Sequence, residues 1–83
     1  MNALAAKKKV EQMYPKFAVL KGYEYEGLFV FVLKRKDLSV EESSKLLIDP
    51  ISVDSKTGGV MQFSPLTVGR KFQEAFKGEP IKF

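Results

Sequence analysis

Apolar residues at the start of the chain recur at the spacing of one helix face. Between residues 3 and 14 they fall three or four positions apart, and mostly lysine, glutamate and glutamine stand between them. The positions on this face are Ala3, Ala6, Val10 and Met13. Pro15 follows, and the residue before a proline disfavours helical backbone angles. The pattern predicts a helix over residues 3–14 that lies against a sheet through a narrow, alanine-rich face.

The next two segments have the patterns of β-strands. Residues 17–25 read as a strand, and the two-residue period of a strand places Phe17, Val19, Lys21, Tyr23 and Tyr25 on one face. Glu26-Gly27 then predicts a tight turn. Residues 28–33 are six consecutive apolar residues, a pattern typical of a strand that is buried on both faces. This second segment is therefore expected to be the central strand of the sheet.

The second half of the chain predicts a hairpin after an ambiguous connector. Ser39 and Glu42 have the spacing of a capping box, which fits either a short helix or a polar loop over residues 38–47. Residues Ile51–Asp54 and Val60–Phe63 flank a turn of serine, lysine, threonine and glycine. Asp54 is expected to accept N–H bonds within that turn, Thr57 to cap it, and Gly58 to permit the chain reversal.

A last helix is expected after this hairpin. Ser64-Pro65 is a suitable start, with Thr67 as the competing cap, and Gly78 and Pro80 are suitable stops. The apolar residues between them fall on one face, and they are Val68, Phe72, Ala75 and Phe76. The tail Ile81–Phe83 is expected either to dock on the core or to fray.

These elements predict one α+β domain over residues 1–83, with an antiparallel sheet of about four strands and a helix at each end of the chain. Two arrangements of the helices stay open. If both helices cover the same sheet face, the other face of residues 28–33 is exposed, which is typical of an interface. If each helix covers one face, the domain closes as a monomer.

Composition restricts the chemistry of the protein. The 83 residues include no cysteine and no histidine, which excludes disulfides, thiol nucleophiles, histidine-based triads and the usual zinc sites. We therefore expect no catalytic residues, no cofactor and no metal. Glu24 and Glu26 share a strand face as a candidate acid–base pair, but their position beside a turn favours solvated side chains. Asp49 and Asp54 are a candidate cation site, but they have no third oxygen ligand at loop spacing.

The charge pattern and the start of the chain bear on the expected compartment. The formal net charge is +4, and the chain has two basic runs, Lys7-Lys8-Lys9 and Lys34-Arg35-Lys36. The short apolar start precedes the first lysines, which is the reverse of the order in a secretory signal. We expect a cytoplasmic protein without membrane contact.

A candidate partner-binding site follows from exposed aromatic and basic residues of the first hairpin. Tyrosine tolerates water better than phenylalanine, so the tyrosines are expected at the surface as anchors, with the cations steering a partner electrostatically. The residues of this site are Tyr23, Tyr25, Lys34, Arg35 and Lys36. The same tyrosines, with Phe29 and Phe31 on the adjacent strand and Lys21 and Lys34 nearby, resemble a surface for base stacking, so a weak nucleic-acid binder is a further alternative.

The hairpin segment also resembles a known pattern. Residues 51–60, Ile-Ser-Val-Asp-Ser-Lys-Thr-Gly-Gly-Val, are similar to the Val-Asp-x-x-Thr-Gly-x-Val hairpin of PepSY-type domains. Phe63-Ser64-Pro65 and the helix after it resemble small hypothetical proteins of phages and prophages of Gram-positive bacteria. The aromatic strand and the hairpin are also similar to immunity-type proteins of bacterial toxin systems. The resemblance implies a small phage-related binding module that docks a protein partner or self-associates, or alternatively an immunity- or inhibitor-type protein that binds a toxin or enzyme.

Overall fold

The computed structural model describes residues 1–43, 45 and 48–82. The elements in chain order are α1 (Ala3–Met13), β1 (Phe17–Tyr25), β2 (Leu28–Arg35), α2 (Val40–Ser43), β3 (Ile51–Asp54), β4 (Val60–Gln62), α3 (Pro65–Val68) and α4 (Lys71–Glu74). The strands form one antiparallel sheet in the order β1-β2-β3-β4. This confirms the α+β class, the four strands and the N-terminal helix. Over the described residues, no helix has the length and hydrophobicity that a membrane crossing requires.

Helix α1 begins at a side-chain cap and buries the small residues of its predicted face. The Asn2 side chain accepts a 2.8 Å bond from the Ala5 N–H, which satisfies one of the free donors of the first turn. Ala6 and Val10 are completely buried. Met13, however, is 51% exposed, and Tyr14, which follows the helix, packs against the core in its place. The prediction for Met13 was wrong because the helix ends before Pro15 and the chain turns toward β1.

Strand β1 contains an irregularity that changes which residues share a face. The register with β2 shifts between Val19 and Lys21, so Leu20 is an extra residue in the pairing. Val19 packs with the α1 side of the sheet, whereas Tyr25 packs on the opposite side. The prediction of a single face from Phe17 to Tyr25 was therefore wrong, because one inserted residue inverts the alternation.

The two faces of β2 are covered by different ends of the chain. On one face α1 packs against Phe29, Phe31 and Leu33, together with β3 residues. On the other face the residues around α3 and α4 pack over Val30, which is completely buried. The arrangement with one helical layer per face is thus the one the structure adopts, as a strand of continuous apolar residues requires.

The β3–β4 hairpin and its turn have the predicted chemistry. The Asp54 carboxylate accepts bonds from the N–H groups of Lys56 (2.8 Å) and Thr57 (3.1 Å). The Thr57 hydroxyl accepts a 3.1 Å bond from the Gly59 N–H, and Gly58 has φ +73°. Positive φ is unfavourable for residues with a Cβ, so glycine is the residue suited to this reversal.

The predicted C-terminal helix is divided into two single turns. Gly69 has φ +59° and ψ −128°, and its N–H bonds to the Pro65 carbonyl, which ends α3 before α4 begins. Ser64 is the N-cap as expected, and its N–H donates to the Thr67 hydroxyl at 3.2 Å. The continuous helix was a wrong prediction because glycine released the backbone from helical angles.

The predicted apolar set survives this break. The described contacts place all four of its members in one core cluster, namely Val68, Phe72, Ala75 and Phe76.

The segment after α4 returns to the sheet at β1. The Ile81 N–H donates a 2.7 Å bond to the Gly22 carbonyl, and the Ile81 side chain packs against the α1-side core. Of the two outcomes expected for the tail, docking is therefore observed at Ile81. Phe83 and the connector residues Ser44, Leu46 and Leu47 lie outside the described residues.

Candidate functional site

The structure places Tyr23 inside the protein rather than on its surface. The ring is 9% exposed and contacts Phe76 edge-on, with ring centroids 5.2 Å apart at 89°. The expectation of an exposed anchor was wrong here because the bulge at Leu20 turns Tyr23 toward the face that α3 and α4 cover. A base or a partner side chain cannot stack on this ring without displacing Phe76.

Tyr25 is half-buried and fixed by a carboxylate. Its hydroxyl donates a 2.6 Å bond to Glu74 Oε2, which links the end of β1 to α4. This bond to Glu74, with burial and the charge of Glu26 as further causes, raises the pKa of Tyr25 to about 12. A 3.2 Å ion pair between Lys71 and Glu26 lies at the same turn. Tyr25 therefore makes a structural contact between the β1–β2 hairpin and α4.

The predicted cations lie at the other end of the same hairpin. Tyr25 pairs with Leu28 beside the turn, whereas Arg35 pairs with Phe17 at the open end. At strand geometry these ends are about 20 Å apart, so the five predicted residues do not form one surface.

The side chains of Lys34 and Arg35 at the open end form hydrogen bonds and an ion pair within their own loop. The Lys34 ammonium donates to the carbonyls of Leu38 (2.7 Å) and Arg35 (3.1 Å). Arg35 makes a bidentate contact with Asp37, at 3.1 and 2.8 Å. The Lys36 N–H bonds to the Lys16 carbonyl at 3.0 Å, so the two exposed lysines stand at neighbouring positions.

An apolar groove lies beside this basic loop. Strand β3 pairs only with residues 28–31 of β2, so the rest of β2 continues without a β3 neighbour. Helix α2 lies next to that part, and the Ser43 hydroxyl accepts a 3.4 Å bond from the Arg35 N–H. The groove has a volume of about 180 Å³, and its lining is Leu20, Val32, Leu33, Lys34, Val40, Ser43 and Ile48.

The groove presents aliphatic side chains to the outside. Leu20 is 41% exposed and Val40 is 53% exposed, and between them Val32 is half-buried. The extra residue in the β1 pairing is Leu20 itself, so the bulge forms one wall. Helix α2 forms the other wall through Val40 and Ser43. The capping box predicted for Ser39 and Glu42 begins this single turn, with the Glu42 N–H donating to Ser39 Oγ at 3.1 Å.

Exposed cations lie on the strand and the loop next to the groove. Lys21 lies opposite Val32 in the register, and Lys16 and Lys36 lie at the neighbouring loop, all three exposed. Asp37 is occupied by Arg35, and the acidic residues of α2 are Glu41 and Glu42. The strand and loop next to the groove therefore carry exposed lysines, and α2 carries two carboxylates.

Asp49 and Asp54, the carboxylates of the candidate cation site, are each engaged by different hydrogen-bond donors. Asp54 is engaged in its turn, where the N–H groups of Thr57 and Lys56 hold the pKa of its carboxyl below the ordinary value of 3.8. Asp49 accepts a 2.7 Å bond from the Gln62 amide. Among the residues that the structure describes, no group of three or more acidic side chains is placed to hold a metal ion.

Comparison with known proteins found no matching family model, no matching curated protein and no matching solved structure. The PepSY-like and phage-related assignments therefore stay predictions that rest on the hairpin residues.

Sequence reasoning missed the groove, although a signal for it was present. The central apolar run is six residues long, and β3 offers four residues to pair with it. A central strand that is longer than its neighbour must leave apolar positions without a strand beside them. Leu20 and Val40 gave no signal of their own, because a bulge and a one-turn helix placed them.

Proposed function

We propose that this protein is a non-catalytic binding module that docks a protein partner through the groove between β1, β2 and α2. The observation that carries the proposal is the exposure of Leu20 and Val40 on either side of Val32. These side chains form a contiguous apolar patch beside charged residues, and such patches are typical of interaction sites. In this proposal the aliphatic residues, rather than Tyr23 and Tyr25, are the apolar anchors for the partner.

The residues of the basic run have different roles in this proposal. Lys34 lines the groove with its aliphatic stem while its ammonium holds the 35–38 loop. Lys16 and Lys36 have no ion pair within the described part of the chain and are available to attract an acidic partner. The preferred ligand is a segment with one bulky apolar side chain next to aspartate or glutamate, because attraction by exposed charges raises the association rate.

Selection from a displayed library of random peptides against the whole chain tests the proposal. We expect enriched peptides with an apolar residue beside acidic residues, and their binding should move the methyl signals of Leu20, Val32 and Val40 in NMR spectra. Changing Leu20 and Val40 together to serine should weaken binding by about tenfold or more.

Matched variants distinguish binding at the groove from nonspecific binding to exposed apolar residues elsewhere. Leu4 and Met13 on α1 are exposed to a similar degree, at 49% and 51%, so serine at both is the control that should leave binding unchanged. Likewise, charge reversal at Lys16 and Lys36 should slow association, whereas reversal at Lys8 and Lys77 should not. Selection that yields no binder, or binders indifferent to the groove variant, would overturn the proposal.

A further inference from the structure

The outer edge of β4 is an open hydrogen-bonding edge. Within the described residues the sheet ends at β4, which pairs with β3 on one side and with no strand on the other. Asp54 N–H donates to the Gly59 carbonyl at 2.9 Å, and Phe63 N–H donates to the Pro50 carbonyl at 2.7 Å. Because antiparallel strands alternate, positions 59, 61 and 63 face β3 and the backbone groups of Val60 and Gln62 point outward.

This edge has one common protection, its length of only three residues, but within the described residues it has no charged side chain, proline or register shift. Residues 57–69 contain no charged side chain and form the longest uncharged stretch of the chain. Natural edge strands are commonly blocked by lysine, proline, a bulge or a covering segment. The opposite edge, β1, has such protection: Lys21 and Glu24 are exposed on it, the register shifts after Val19, and Ile81 bonds to its Gly22 carbonyl.

From this contrast we infer that two copies of the chain pair antiparallel through β4, with the two-fold axis at Met61. In that register Val60 of each copy lies opposite Gln62 of the other. Each such pair exchanges both backbone N–H to carbonyl bonds, which satisfies the outward groups of β4 and joins two sheets into one. The pairing does not use the groove and does not rest on the function proposed above.

Side chains and charge favour a second copy as the occupant of this edge. Met61 is 65% exposed, and in this register it lies opposite Met61 of the second copy in a non-hydrogen-bonded pair, with Cα atoms about 4.5 Å apart. Each copy has a net charge of +4, so two copies repel wherever their lysines approach. At this edge opposite charges meet instead, because the antiparallel register brings the end of one copy where Asp49 accepts from Gln62 beside the end of the other where Lys9 donates to the Gly58 carbonyl. Leu66 in α3, which is 98% exposed, lies close after this strand in the chain.

Light scattering after size exclusion, over a series of protein concentrations, measures the pairing directly. We expect the mass to rise from one copy to two with increasing concentration, because a three-residue edge supports a reversible dimer rather than an obligate one. Amide exchange should show protection of Val60 and Gln62 N–H groups that increases with concentration. A mass of one copy at every concentration would overturn the inference.

Substitutions at position 62 locate the interface. Gln62→Pro removes the outward N–H, and Gln62→Ala keeps it; both lose the side-chain bond to Asp49. We expect the proline variant to raise the dimer dissociation constant by about tenfold or more, and the alanine variant to dimerise almost as the parent chain does. Equal dimerisation of both variants would show that the copies meet elsewhere.

A second pair of variants covers the case in which proline unfolds the strand. Met61→Lys places two ammonium groups at the two-fold axis and should give a monomer, whereas Met61→Leu should not. The Leu20 and Val40 serine variant should leave dimerisation unchanged, and Met61→Lys should leave peptide binding at the groove unchanged. The failure of either proposal is thereby distinguishable from the failure of the other.

Discussion

The hydroxyl of Tyr25 lies 2.6 Å from the carboxylate of Glu74, and this bond ties the first hairpin to the last helix of the chain. The bond exists only while the tyrosine is protonated, and its pKa is raised from 10.0 to about 12. Since the unfolded chain loses this proton near pH 10, the bond's contribution to stability is fully present below pH 10 and is lost between pH 10 and about 12.

Absorbance titration checks this relationship. The difference between the parent chain and Tyr25→Phe should isolate one tyrosine that titrates near pH 12, and Glu74→Gln should move that titration toward 10. The parent should also lose more stability than Tyr25→Phe as the pH rises from 10 to 12. A Tyr25 that titrates like an exposed tyrosine would contradict the contact.

Asp54 gives the opposite dependence at acid pH. Its pKa is lowered by the N–H bonds from Thr57 and Lys56, so the stabilisation is present above pH 3.8 and is lost as the pH falls through the pKa of the folded protein. Asp54→Asn keeps an acceptor but has no charge. We expect the parent to be more stable than this variant at neutral pH and the difference to disappear in acid, as measured by urea unfolding across pH. A difference that stays constant with pH would assign the effect to shape rather than charge.

A side chain at Gly58 is expected to destabilise the hairpin turn. Gly58 has φ +73°, and an added Cβ would lie 3.2 Å from the Lys9 ammonium nitrogen, in the region where Lys9 donates to the Gly58 carbonyl. Gly58→Ala should therefore lower the free energy of unfolding by about 1–2 kcal/mol from the backbone alone. Gly78 is the control, since an added Cβ there meets no atom within 4 Å. Equal stability of the two alanine variants in urea would show that the turn adapts.

Substitution of Phe63 tests how much the packing of α3 and α4 over the second sheet face contributes to stability. The ring is 1% exposed and stacks on Phe72 at 6.0 Å, so Phe63→Ala should cost about 3–5 kcal/mol of unfolding free energy. Met61→Ala, two residues earlier on the same face, should change the stability of the monomer by less than about 0.5 kcal/mol because Met61 is 65% exposed. Thermal unfolding of both variants, at a concentration where one copy prevails, makes the comparison. A small loss for Phe63→Ala would mean that α3 and α4 contribute little to the core.

Local patterns were enough for the elements that local interactions define. The run of apolar residues identified β2, the Asp54, Thr57 and Gly58 chemistry identified the second turn, and the spacing from Val68 to Phe76 identified an apolar face. Each of these features depends on backbone angles or hydrogen bonds between residues a few positions apart. Such interactions are already specified by neighbouring letters of the sequence.

The candidate site depended on longer-range features that no local pattern contains. The bulge at Leu20 turned Tyr23 inward and Leu20 outward, and the unequal lengths of β2 and β3 opened the groove beside Val32. Lys34 and Lys36 belong to one basic run, yet Lys34 bonds the Leu38 carbonyl and lines the groove, whereas Lys36 is exposed.

The sequence by itself therefore determined the first helix, the four strands, where the hairpins turn, and that cysteine and histidine chemistry is absent. Only the tertiary structure decided which face α1 and the C-terminal turns cover, where the helix breaks at Gly69, and which apolar side chains remain outside. The physical reason is that burial is a property of what packs against a residue. A one-residue shift in register, or a single positive φ, exchanges the inside and the outside of the protein without any change in the pattern that predicted the element.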